Sequence, residues 1–290
     1  MTKALRELLT RCMLNLLPLE LRVKLLMLRY LGYWPNIKNP KTFNEKIAYR
    51  KLKQYNDRYQ VLSDKWAVRE YIRSKIGNNY LSKAYGVVSS LFELNLEILP
   101  ERFVAKPTHK SGEVYFVSNK STLDEKHFIR VLYKWLNSKY DFGVEHGEYW
   151  YAKIQPRVMF EEWVSDGNYK IPLDFKFFVF HGKVHAIQID FDRFTCHAIN
   201  FYTPDWRQIP MRKGNRPNKF INPEEVRPAK LEEMITIAET LGKDFDFVRV
   251  DLYYLFNSQR IVFGEMTFAP GSGYSPFTPS YYDLKFGELW

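Results

Sequence analysis

Two runs near the C-terminus place charge where a core would be expected. "FVRVDLYYLF" sets Arg249 and Asp251 among Val, Leu, Tyr and Phe, and "RIVFGEMTFAPGSGYS" sets Glu265 among Ile, Val, Phe and Met. Ionised carboxylates almost never enter a core without a partner. Read with a period of two, the first run points Val248, Val250 and Leu252 to one side and Phe247, Arg249, Asp251 and Tyr253 to the other. In the second, Ile261, Phe263, Glu265 and Thr267 share a side. Paired as a hairpin, the strands bring Asp251 opposite Glu265. Like charges so placed repel, and something positive must offset them: Arg249, a lysine or a metal ion. Paired carboxylates are what Mg2+ uses when it also holds substrate phosphates. An Arg249–Asp251 ion pair on a solvated face accounts for the same pattern with no function attached.

Three further stretches carry possible chemistry. In "FVAKPTHKSGEVYF", Lys106 ends a strand and a loop with Ser111 and Gly112 leads to the next one. Such a hairpin could fold over a phosphate, the lysine acting as a point charge and the loop N–H groups as donors. It is neither a Walker A loop nor a Rossmann fingerprint, and most hairpins of this kind are only hairpins. In "VMFEEWVSDGNYKIPLDFKFFVF", an apolar strand ends in Glu161, Glu162, Trp163 and Val164. That composition suits an adenine slot, with apolar walls, backbone amides and a carboxylate for the ribose or the exocyclic amine. Further on, Asp174 and Lys176 share one face of a very apolar strand, either as a buried pair or with the lysine reaching a nucleotide phosphate. "MRKGNRPNKF" gathers Arg212, Lys213, Arg216 and Lys219 beside aromatics. It could bind nucleic acid, but charge runs usually just face water, and no nucleic-acid partner is expected.

The elements that must position these residues mix helices and strands. "NPKTFNEKIAYRKLKQY" opens with turn chemistry and continues as a charged helix. "SDKWAVREYIRSKIG" reads as one helix with Ser63 or Asp64 as N-cap, Val68, Tyr71 and Ile72 on one face, and Gly77 at its end. A hairpin is expected over "RFVAKP" and "YFVSN", a helix around "TLDEKHFIRVLYKWLNSKY", and a second hairpin from "DFKFFVF" through "HGK" to "VHAIQIDF". "KLEEMITIAETLG" is a helix with Leu231, Met234, Ile235, Ala238 and Leu241 on one face and Gly242 as its stop. Strands arranged largely as hairpins among helices indicate an α+β fold with antiparallel sheets.

The chain has 290 residues, 46% of them hydrophobic and 17% aromatic, enough for a sizeable core. A formal net charge of +10 suits anionic partners. Two cysteines, Cys12 and Cys196, form no metal-ligand spacing and imply no disulfide framework, consistent with a cytoplasmic setting. The N-terminal stretch up to Trp34 scatters Arg and Lys among its apolar residues, so it reads as neither a secretory signal nor a membrane span. It is expected to form one or two amphipathic basic helices broken near Pro18. They either pack on the main body or lie on a membrane surface.

In order along the chain, these pieces resemble the ATP-grasp superfamily, and more narrowly the TupA-like ATP-grasp family of bacterial surface-polysaccharide loci. "NPKTFNEKIAYRKL", "SDKWAVREYI", "AKPTHKSGEV", "DFKFFVFHGK" and "VRVDLYY…GEMTFAPGSG" carry the resemblance, from about Asn39 to near the C-terminus. It implies two α+β subdomains clasping ATP: amphipathic helices over 1–35, a mostly helical region over 36–100, a small subdomain over 101–164 and a large one with the metal site over 165–290. Lys106 then falls where a strand lysine touches the ATP phosphates, with Ser111 and Gly112 in the loop above it. Arg69 takes the place of a second phosphate-binding cation, more loosely because that residue is usually a lysine. Glu161, Glu162 and Val164 match the adenine and ribose hinge. Asp251 and Glu265 match magnesium-bridging acids, with Thr267 where an Asn often stands. Arg249 matches the arginine that steadies an acyl phosphate, and Lys176 lies in the strand after the hinge.

The activity implied is an ATP- and Mg2+-dependent carboxylate–amine ligase. Its acid would be a uronic acid of a surface glycan or an amino acid, and its site cytoplasmic, at or near the inner membrane face. A kinase of the same fold, a glycosyltransferase of the same locus (for which no clear DxD-type metal motif is present) and a non-catalytic anion-binding module are the competing readings.

Overall fold

The computed structural model describes residues 16–138, 141–166, 172–192 and 195–290. The first helical segment read near the N-terminus, residues 1–15, lies outside them. Helix α1 (Leu19–Leu31) follows Pro18. It buries Val23, Leu26 and Met27 against Ile37, Ala48 and Tyr274, so this segment packs on the body of the protein. Helix α2 (Phe43–Lys53) begins at a capping box. The Thr42 hydroxyl accepts from the Glu45 N–H at 3.2 Å, and the Glu45 carboxylate accepts from the N–H groups of Asn36, Lys41 and Thr42. One side chain thereby satisfies the N–H of the capping residue and two more in the loop that leads into the helix.

The helix expected over "SDKWAVREYIRSKIG" forms with Asp64 as its N-terminal cap and an irregular first turn over 65–67, where the Val68 N–H donates to the Asp64 carbonyl at 2.9 Å. Helix α3 (Arg58–Ser63) ends at Asp64, and α4 (Val68–Ile76) starts after a turn. The Asp64 carboxylate accepts from the N–H groups of Trp66 at 2.8 Å and Ala67 at 3.2 Å and pairs with Arg157 at 2.7 Å. A side chain that bonds its own backbone two residues on competes with continuation of α3. Residues 36–100 also hold a strand, β1 (Ala84–Val88).

Strands β2 (Phe103–Pro107) and β3 (Tyr115–Val117) form the expected hairpin, followed by helices α5 (Glu125–Leu136) and α6 (Asp141–Glu145) and by strand β4 (Val158–Glu161). These strands make an antiparallel sheet in the order β1-β4-β2-β3. Its core joins Phe103, Val158 and Phe160 to Phe128, Leu132 and Trp135 of α5.

The larger sheet runs β11-β10-β5-β6-β7-β8. It is built from the hairpin β5 (Leu173–Phe180) and β6 (Lys183–Phe191), then β7 (Ala198–Tyr202), β8 (Gln208–Ile209) and the closing hairpin β10 (Phe247–Leu255) and β11 (Arg260–Thr267). A two-stranded ribbon, β9 (Arg212–Lys213) with β12 (Phe277–Thr278), lies beside it, and helix α8 (Tyr281–Glu288) ends the fold. Every residue of β5 is buried, so both faces of the sheet are covered. On one face Phe43 of α2 meets the rings of Phe178, Phe180, Phe247, Phe277 and Phe286 at centroid distances of 4.9–6.1 Å. Arg50 of the same helix is fully buried. It donates to the carbonyls of Phe247 at 3.0 Å and Phe268 at 2.9 Å and pairs with Asp246.

Helix α7 (Leu231–Gly242) covers the other face. Its buried residues are Leu231, Met234, Ile237, Ala238, Leu241 and Gly242. Ile237 thus takes the buried place expected for Ile235, which is only partly covered. The helix ends at Gly242 as expected, and that glycine also lets it approach the sheet: a Cβ there would stand 2.5 Å from Val179 Cγ1. Gly242→Ala sets two effects against each other. Helix propensity favours alanine by about 1 kcal/mol. Overpacking against a buried, rotamer-stiff valine costs about 1–3 kcal/mol. The clash wins, and thermal denaturation is expected to show a lower Tm for Gly242→Ala; an unchanged or higher Tm would mean that the helix shifts freely on the sheet.

Candidate active site

A cleft opens between the two sheets. One wall carries Lys106 from the end of β2, Ser111 and Gly112 from the loop after it, and Glu161, Glu162 and Val164 from the end of β4. The other carries Asp174, Asp251 and Glu265 from three adjacent strands of the large sheet. Val104, Phe116, Met159, Trp163, Val262 and Phe263 add apolar surface. The fold therefore brings the expected residues to one place from positions spread over 69–265. Lys176, Arg249 and Thr267 stand directly behind the acid wall, bonded to it.

The acid wall is an ordered charge array. Asp251 lies opposite Glu265 on one side and opposite Lys176 on the other, with a register shift just after Asp251. Its carboxylate accepts from Arg249 Nε at 2.7 Å, from Arg249 Nη2 at 2.6 Å and from Lys176 Nζ at 3.2 Å. Arg249 Nη2 also reaches Glu265 at 3.1 Å and the Thr267 hydroxyl at 3.0 Å. Lys176 is held by Asp174 and lies 3.6 Å from Asp190.

The positive charge required by the facing acids is thus supplied by both an arginine and a lysine. The solvated-face alternative is corrected, because Asp251 is only 2% exposed and the Arg249 side chain 12%. Burial lifts Asp251 to about 6, although Arg249 and Lys176 pull it down. Burial alone would lower Lys176, but Asp174, Asp251 and Asp190 together raise it.

Among the described residues no group of three or more His, Cys, Asp or Glu side chains is arranged to hold a metal ion by itself. The donor set nevertheless fits Mg2+. Two carboxylates and a hydroxyl are hard oxygen ligands, the Glu265 side chain is 38% exposed in the cleft, and Mg2+ characteristically takes one or two carboxylates and completes its shell with phosphate and water.

On the basic wall, Glu161 is the buried counter-ion of Lys106 and accepts from the Ser82 hydroxyl. Burial pulls its carboxyl up, and Lys106 and Ser82 outweigh that and hold it below the usual range. Arg69 donates to Ser82, to its hydroxyl at 3.2 Å and its carbonyl at 2.7 Å, so its guanidinium shapes the cleft floor through that serine. Glu162 pairs with Arg260 at 2.5 Å and accepts from the Lys83 N–H at 2.9 Å. Gly112 turns the loop at φ +78°, a left-handed conformation that disfavours any side chain.

The sequence reading passed over Lys65, which lines the cleft and whose ammonium donates to the Lys110 carbonyl beneath the loop. Burial pushes its pKa down. The signal was present in "SDKWAVR": Lys65 directly follows the aspartate that caps the helix, so it leaves the turn rather than a helix face.

Removing one acid should therefore destabilise the protein. Asp251→Asn leaves Arg249 and Lys176 without their shared carboxylate, and breaking a buried pair costs about 3–5 kcal/mol. At roughly 2–4 °C per kcal/mol for a chain of this order of size, the ligand-free Tm is expected to fall by about 6–20 °C in thermal melts. A variant that melts as the parent does would show that the array is not stabilising.

Comparisons with known proteins place the chain in a family. The model of the TupA-like ATP-grasp family matches residues 45–290. No curated protein matches the sequence significantly. Among solved structures, the chain is similar to D-alanine–D-alanine ligase from Bacillus anthracis complexed with ATP, at 17% identity and TM-score 0.42, covering 71% of this chain and 55% of that one. It is similar to L-amino acid ligase from Bacillus licheniformis at 17% identity and TM-score 0.41, covering 82% and 48%. It is also similar to VanG D-Ala:D-Ser ligase from Enterococcus faecalis at 12% identity and TM-score 0.40, covering 79% and 60%. The matched part is about half to three fifths of the length of these structures. The assignment rests on the family match, which spans most of the sequence: the chain belongs to the TupA-like ATP-grasp family.

Proposed function

We propose that the protein is an ATP-dependent carboxylate–amine ligase. The observation that carries this reading is one cleft with phosphate-type cations on one wall and compensated acids on the other. Lys106 and Lys65 take the phosphate charge, and the Ser111–Gly112 backbone closes over it. Glu161 positions Lys106, and Arg69 acts on the cleft floor through Ser82. The apolar surface beside Glu162 and Val164 takes the adenine. Asp251, Glu265 and Thr267 would hold Mg2+, which when bound neutralises phosphate charge.

A substrate carboxylate oxygen attacks the γ-phosphorus, the bond to the bridging oxygen breaks, and ADP leaves. Arg249 steadies the resulting acyl phosphate, and Lys176 keeps Asp251 in place behind it. An amine nitrogen then attacks the acyl carbon, inorganic phosphate leaves, and the amine proton passes to solvent. Positioning and charge neutralisation suffice for both steps.

The family setting and the +10 charge support a uronic acid of a bacterial surface polysaccharide, or its precursor, as the acid, and an amino acid or other amine as the nucleophile. We place the reaction in the cytoplasm. Among the described residues no helix is long and apolar enough to cross a membrane. Contact with the inner membrane face is supported by Leu21, Leu28 and Trp34, which α1 and the turn after it leave exposed.

ADP release measured over a panel of uronic acids and amines, with mass spectrometry of the products, tests the reading. An amide product, with ADP and phosphate formed in equal amounts, is expected. A phosphorylated product without amide would make the protein a kinase, and no ATP turnover with any pair would remove the ligase. For Lys106→Ala, isothermal titration with an ATP analogue is expected to show affinity about 10–100-fold weaker, the loss of one charge-assisted bond of about 1.5–3 kcal/mol. Unchanged affinity would take Lys106 out of the nucleotide site. Chelation of divalent metal by EDTA should abolish turnover, and excess Mg2+ should restore it.

A further inference from the structure

Lys213 is the odd residue in the basic run "MRKGNRPNKF". It is only 7% exposed, although the ammonium itself is not fully enclosed. Its ammonium lies 5.1 Å from the ring centroid of Phe43 and 5.2 Å from those of Phe178 and Phe277. Among the described residues no hydrogen bond and no ion pair completes it; its charged neighbours act only through space. Three ring faces offset part of the desolvation of an ammonium, about 2 kcal/mol for a well-placed ring. They supply no hydrogen-bond acceptor, so the ammonium is left open to an anion from the side that remains accessible.

The four charges around it, two of each sign, offset one another and give Lys213 no partner of its own. Arg249 and Arg216 disfavour the protonated lysine, while Asp283 and Asp190 favour it. Both acids are already engaged. Asp283 accepts from the Asn44 N–H at 2.9 Å and the Tyr33 hydroxyl at 3.2 Å. Asp190 lies 3.6 Å from Lys176 and 3.3 Å from His197. Burial first, and Arg249 second, push Lys213 down to about 7, so its charge is only marginally held without a further anion.

The strand register says where this cation stands. Phe178, one of its three rings, lies opposite Arg249 on β10, and Arg249 lies opposite Thr267 on β11. Two residues back on β5, Lys176 lies opposite Asp251. Lys213 therefore stands beside the Arg249–Thr267 row, next to the row that holds the acids. Arg216 adds an exposed guanidinium, held by His197 at 2.9 Å.

We propose that Lys213 anchors an anionic oxygen group, carboxylate or phosphate, of the acid substrate on the side of Arg249 away from the nucleotide. The subsite rests on the ligase reading for its place in a reaction, not for its existence. It implies an acid substrate with an anionic group at this subsite. A neutral sugar would leave Lys213 uncompensated.

The test is thermal melting of the parent and Lys213→Met with D-glucuronate, D-glucose 1-phosphate or D-glucose, and separately with Mg2+ and an ATP analogue. Without ligand, Lys213→Met is expected to melt no lower than the parent, since an uncompensated cation is replaced by an apolar chain of similar length. D-Glucuronate or D-glucose 1-phosphate should raise the parent's Tm and leave the variant's unchanged; whichever does so names the source of the anion. D-Glucose should do nothing. Lys213→Arg should retain the anion response, and Lys213→Gln, neutral but polar, gives the same comparison if the Met variant does not fold. An anion response kept in the neutral variants, or absent from the parent, overturns the proposal. Loss of the ATP-analogue response in both proteins would instead overturn the nucleotide site, leaving the anion comparison intact.

Discussion

A carboxylate survives inside a sheet only if its charge is answered within a few ångströms. Asp251 meets that condition through Arg249, two residues away on its own strand, and Lys176, directly across on β5. Both answers depend on register. A slip of one residue would turn Arg249 and Asp251 to the opposite face, among the apolar residues under α7. The aromatic layer around Phe43, the polar strip and the cleft lie in sequence on one face of the large sheet. Pairing β10 with β5 in this one register sets all three.

Much of this was legible in the sequence because it rests on short-range spacing. The period of two in "FVRVDLY" and "RIVFGEMTF" placed Asp251 opposite Glu265, and the β5–β6 and β2–β3 hairpins followed from turn residues between apolar runs. The family resemblance was carried by the same motifs and agrees with the match over residues 45–290.

What escaped the sequence depends on partners distant in the chain. Glu161 lines the cleft, but its partners Lys106 and Ser82, which β2 and the segment before β1 bring to it, could not be read from its own strand. Lys65 was passed over because its turn is set by the Asp64 carboxylate and by Arg157, about ninety residues later. Lys213 read as part of a solvated run, but strand β9 turns it under Phe43 and Phe277. Ile235 and Ile237 exchanged roles because helical periodicity fixes a stripe only to within about one residue at its edge.

Arg50 has a consequence for how the molecule comes apart. It reaches from α2 to a carbonyl at the start of β10, to another just beyond β11, and to Asp246, while Trp290 lies 4.2 Å from it. Lifting the helix would strand a buried guanidinium and leave those carbonyls without their donor. The helical N-terminal region and the large sheet are therefore coupled in one opening event, and sub-global unfolding should release them together. Fluctuations that admit substrate must then come from the smaller sheet and its loop, which join this block through pairs such as Arg157 with Asp64 and Glu162 with Arg260.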